Sequence, residues 1–155
     1  MKRILLVIPI ILFAVTSIKA QYIPDLTPVD VYLNFEKIGY TIEKDIGSDY
    51  GNFWTAKNNS GSVNYTVEIN SDDVNKVQSI RATARNANYN HKQAKQFLQY
   101  TASVLAIYGT ASKSTLDGWI NSNYNSAETS TTFGNVTVKI MAPSQTFRIL
   151  KISAN

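Results

Sequence analysis

No cysteine occurs anywhere in this chain. That excludes a disulfide framework, a cysteine nucleophile, a nitrogen–sulfur zinc site and a lipid-bearing lipoprotein cysteine. Histidine is almost as scarce: His91 is the only one, set between Asn90 and Lys92 at a helix start. No G-x-S-x-G elbow accompanies it, so His91 reads as a solvated surface residue, not as the base of a triad. Phosphate-cradling loops are missing too, since neither G-x-x-x-x-G-K nor G-x-G-x-x-G occurs. The loop acids Asp72-Asp73 and Asp45…Asp49 lack the D-x-D-x-D-G spacing of a calcium loop. These shortages point to no catalytic cluster, no metal and no cofactor. There is also no repeat at a fixed period and no low-complexity tract.

What is present begins with the first twenty residues, MKRILLVIPIILFAVTSIKA. Lys2 and Arg3 precede an apolar run from Ile4 to Val15, and Ser17 and Ala20 are small. Basic, then apolar, then small is the order of a secretory signal, with cleavage expected after Ala20. A run this short falls below the ~20 residues needed to cross a bilayer, so no membrane anchor is expected after cleavage. The expectation is therefore export to a bacterial periplasm or to the outside.

Three of the fifteen basic residues, Lys2, Arg3 and Lys19, lie in that segment, and all eleven acids lie beyond it. The remainder is close to neutral, which argues against a nucleic-acid partner. Apolar residues make up 44% of the chain, enough for a hydrophobic core to hold one domain without covalent help.

Residues 21–27 hold Pro24 and read as an extended leader; the domain spans 28–155. Thr27-Pro28 fits a helix start, with Thr27 as cap and Pro28 at the first helical position. Val29, Tyr32, Leu33 and Phe35 to Ile38 form its apolar face, and Gly39 stops it. From Tyr40 the apolar period changes to two. Residues 47–51 read as a loop and 52–57 as a strand. Asn58 to Gly61 is a hairpin turn by composition. Val63, Tyr65, Val67 and Ile69 then alternate with Asn64, Thr66 and Glu68. Residues 77–86 alternate again, with Arg81, Thr83 and Arg85 opposite Ile80, Ala82 and Ala84. Pairing these two strands antiparallel with apolar faces aligned sets Glu68 opposite Arg81.

Residues 91–108 carry the strongest helical period, through Ala94, Phe97, Leu98, Thr101, Val104, Leu105 and Tyr108. Asn90 is its cap and Gly109 its stop. A second short helix is expected from Ser114, capped in a box with Asp117, burying Leu116, Trp119 and Ile120. The end of the chain is β again: 127–133, Val136 to Ile140, a turn at Pro143-Ser144-Gln145, and Phe147 to Ile152. The order is helix, four strands, two helices, two to three strands. It predicts an α+β fold with one antiparallel sheet of six to seven strands and helices on one face.

The suggestive side chains are few. Tyr50, Phe53 and Trp54 cluster beside a glycine-flanked loop and can stack on sugars or anchor a protein. Arg81 and Arg85 make a short basic strand face. The favoured reading is a non-catalytic exported binding protein. It uses one sheet face or the 47–54 loop on a protein or envelope polymer. One alternative is a small-ligand or glycan module with a pocket between helices and sheet. A remoter one is a hydrolase working through Glu43 or Glu68.

Overall fold

The computed structural model describes residues 21–59 and 61–155; the expected signal segment lies outside them. Helix α1 (Pro28–Glu36) is followed by β1 (Thr41–Ser48), β2 (Gly51–Asn58), β3 (Asn64–Ser71) and β4 (Ser79–Arg85). After a 3₁₀ turn come α2 (His91–Ala102), the single turn α3 (Val104–Ile107) and α4 (Lys113–Asn123). Strands β5 (Glu128–Phe133), β6 (Val136–Ser144) and β7 (Phe147–Ala154) complete one seven-stranded sheet. Every pair is antiparallel, in the order β1-β2-β3-β4-β7-β6-β5. The α+β architecture read from the sequence is the architecture observed.

Alternation divides the sheet into two faces. Trp54, Ala56, Val67, Ile69, Ile80, Ala82, Ala84, Val138, Ile140, Leu150 and Ile152 point toward the helices and are buried. Phe35, Leu98, Leu105, Leu116 and Ile120 meet them from the helical side. Among the described residues, no helix packs on the opposite face.

The helix ends follow the expected chemistry, with shifts. Thr27 and Asp30 form a reciprocal capping box at α1, and Pro28 occupies its first position. Partial burial pushes the Asp30 carboxyl upward, but hydrogen bonds from Thr27 outweigh this and hold it below its ordinary value. Asn90 caps α2 by accepting from the Gln93 amide. The long helix expected over 91–108 is interrupted at Ser103, whose hydroxyl bonds back to the Tyr100 carbonyl at 2.6 Å. Such back-bonding competes with the helical ladder. The α4 cap is Ser112, not Ser114: Ser112 Oγ accepts from the Thr115 amide, and Ser114 lies inside the helix.

One further reading is corrected. On α1, Val31 and Phe35 are buried while Val29, Leu33 and Ile38 stay exposed. The helix turns a narrower stripe inward than its composition suggested. The leader, residues 21–27, packs onto the domain. Ile23 and Leu26 are buried, and the Ile23 amide bonds the Val77 carbonyl at 2.7 Å.

The register of β3 on β4 sets Glu68 opposite Arg81, as the alternation required, with the charged groups 3.9 Å apart. Both side chains are about half exposed. A double-mutant cycle of Glu68→Ala and Arg81→Ala should give a coupling of only ~0.2–1 kcal/mol in denaturant melts. A coupling above ~2 kcal/mol would show a desolvated pair instead.

Candidate functional site: the open face of the sheet

The helix-free face is ordered by strand register. One row crosses all seven strands: Glu43, Thr55, Glu68, Arg81, Lys151, Lys139 and Ser130 are successive cross-strand partners. The neighbouring row runs Asp45, Phe53, Asn70, Ser79, Ser153, Thr137 and Thr132. Between these rows lies a depression of about 580 Å³. Phe53 and Met141 give it apolar contact, and Thr55, Asn70 and Ser79 give neutral hydrogen-bonding groups. Asp45, Glu68, Arg81 and Lys151 supply both signs of charge. A smaller hollow of about 120 Å³ adjoins it, lined by Thr83, Arg85, Phe147 and Ile149 and sharing Glu68 and Arg81.

The charges are arranged, not scattered. Strands β4, β6 and β7 contain no acid, and their outward cations are Arg81, Arg85, Lys139 and Lys151. Lys151 lies directly opposite Arg81 on one side and Lys139 on the other. Like charges in such positions repel. Acids on the flanking strands offset this: Glu68 reaches Arg81, and Glu128 contacts Lys139 at 2.6 Å. Farther out, Glu43 holds Lys57 at 2.6 Å. Arg85 covers the ring of Phe147 at 5.7 Å.

The structure brings together three of the five side chains singled out in the sequence. Phe53, Arg81 and Arg85 share the open face. Trp54 does not join them. Adjacent strand residues point to opposite faces, so with Phe53 outward Trp54 enters the core, where it is 4% exposed. Tyr50 sits in the β1–β2 turn and is 88% exposed. That turn is tight where the sequence suggested a longer loop. The buried Asn52 accepts from the Gly47 amide at 2.8 Å, and Ser48 Oγ donates to the Gly51 carbonyl at 2.7 Å. Gly51 has φ +106°, and a Cβ there would lie 3.0 Å from the Ser71 carbonyl oxygen, so any other residue would be strained in backbone and tight against β3.

Asp45, Thr55, Asn70, Ser79, Met141 and Lys151 were not singled out as binding residues from the sequence. Alternation within each strand reveals which face each takes. It does not reveal that β4 pairs with β7, which alone brings Lys151 beside Arg81. Of the two acids considered for hydrolysis, Glu68 lines the depression and Glu43 is engaged by Lys57 outside it. The space between helices and sheet is filled by core side chains. At one end of it a cavity of about 360 Å³ opens beside Tyr40, Tyr65 and Phe97.

Among the described residues, no helix is long and apolar enough to cross a membrane. No group of three or more metal-ligating side chains occurs among them either. No family model, curated protein or solved structure matches the chain.

Proposed function

We propose that the protein is an exported, non-catalytic binding protein of a bacterial periplasm or cell exterior. It lays a segment of a hydroxyl-rich envelope polymer across the open sheet face. The observation that carries this reading is the 580 Å³ depression. Its size falls within the ~300–1,000 Å³ of small-ligand sites, and its lining is drawn from six of the seven strands, β1 to β4, β6 and β7. A flat ring at Phe53 surrounded by carboxylates, an amide, hydroxyls and cations suits a polyol, which presents apolar ring faces and hydroxyl edges alternately. Protein-docking surfaces centre instead on clustered apolar anchors, and here Tyr50 stands apart from Phe53 while Trp54 is buried. The N-terminal basic–apolar–small pattern supports export.

Co-sedimentation with purified insoluble bacterial cell-wall glycan tests the reading. Phe53→Ala and Arg81→Ala should each weaken retention by roughly tenfold, about 1.4 kcal/mol, with the melting temperature nearly unchanged. Equal retention of wild type and both variants would remove the open face from function. Release of new reducing ends during incubation would make the protein a hydrolase.

A further inference from the structure

The geometry points to a second binding site, on the helical side of the molecule, for a small organic anion bearing a carboxylate or a phosphate. The site is a cleft of about 540 Å³ between α2 and the end of α4. It is independent of the open sheet face and of the function proposed for that face.

Every ionisable side chain lining the cleft is a base or a phenol: His91, Lys92, Lys95 and Tyr124; no acid lines it. The two asparagine amides that line it are oriented. Asn125 Oδ1 accepts from Arg148 Nη2 at 3.0 Å, and Asn121 Oδ1 accepts from Gln99 Nε2 at 3.3 Å. Each of these amide oxygens is engaged by the protein, so the donor group Nδ2 of each is what remains for a ligand. The His91 Nδ1 and Tyr124 hydroxyl are 3.3 Å apart, which leaves the other imidazole nitrogen, Nε2, for a ligand.

A third cation stands behind the lining. Arg148, on the core-facing side of β7, is only 5% exposed. Its Nη1 donates to the Ser144 and Phe147 carbonyls, each at 2.8 Å. It has no carboxylate partner among the described residues, and its buried Nε has no hydrogen-bond partner. A buried charge without a counter-ion is costly, and a nearby anion relieves it. The guanidinium lies over the Tyr124 ring at 4.9 Å and Lys95 lies 5.4 Å from the same ring, so two cations contact the phenol ring. Donors converging from two helices, with three positive charges and no competing acid, form a receptor for negative charge.

The test uses three probes with one sugar skeleton: glucose 6-phosphate, glucuronate and glucose. In ¹⁵N–¹H spectra at low ionic strength, the two anions should give saturable shifts of the Asn121 and Asn125 side-chain amides, and glucose should not. Which anion binds tighter distinguishes phosphate from carboxylate as the preferred group. Lys92→Gln/Lys95→Gln should weaken binding by roughly tenfold or more. Added salt should weaken it as well. Asn125→Asp should abolish binding while keeping the fold, because the new carboxylate partners Arg148; an unchanged or raised melting temperature checks this. The proposal is overturned if neither anion gives a saturable shift at roughly 10 mM, a concentration ample for a millimolar Kd. It is equally overturned if glucose shifts the same amides to the same extent, or if both variants bind like wild type.

Discussion

Leu98→Asp is expected to leave the chain unfolded at room temperature. Leu98 sits mid-way along α2, fully buried, where that helix meets the centre of the sheet. Removing the side chain forfeits ~1.5–3 kcal/mol of burial. Strands β4 and β7, which α2 packs against, present Ile80, Ala82, Ala84, Leu150 and Ile152 there, and their one inward cation, Arg148, is already held by the Ser144 and Phe147 carbonyls and by Asn125. Burying the replacement carboxylate costs several kcal/mol more, or forces its protonation. The total approaches the ~5–15 kcal/mol that holds an ordinary domain together. Circular dichroism should show loss of helical signal and no cooperative melt. A wild-type melting temperature for this variant would mean that α2 does not close the core.

Phe35→Ala should cost ~3–5 kcal/mol, the usual range for emptying a buried phenylalanine site. Phe35 is fully buried at the end of α1. Its ring meets Tyr40 at 5.1 Å, Tyr100 at 5.2 Å and Phe97 at 6.3 Å between centroids, all edge-on. One side chain therefore joins α1, the entry to β1 and α2, and its neighbours cannot collapse into the gap without moving a helix. Such edge-on pairs contribute ~0.5–1.5 kcal/mol each beyond burial. Urea unfolding is the check. A cost under ~1 kcal/mol would show that α1 and the segment before it are an appendage instead of part of the folded unit. The two proposed sites should tolerate milder core changes, since most of their residues sit on strands and helices.

The candidate sites show where local pattern stops. The alternation of 63–69 and 79–85 was enough to place Glu68 opposite Arg81, because both strands are adjacent in sequence and share one buried face. Alternation alone puts Phe53 and Trp54 on opposite faces of one strand but does not say which ring faces outward. His91 read as a solvated surface residue, and nothing near it in sequence signalled the cleft. Its neighbours there, Tyr124 and Asn125, arrive from the turn after α4 more than thirty residues later, and Arg148 from the last strand.

By itself, the sequence determined the class of fold, the order of its elements and most helix caps. These depend on period, on hydroxyl or amide groups within a few residues, and on which faces are apolar. Only the tertiary structure decided that β7 inserts between β4 and β6. That pairing alone aligns Arg81, Lys151 and Lys139 in one row, and it brings Arg148 under the α2–α4 cleft. The physical reason is that strands joined across long connections choose partners through the whole core's packing, and no local stretch of chain encodes that choice.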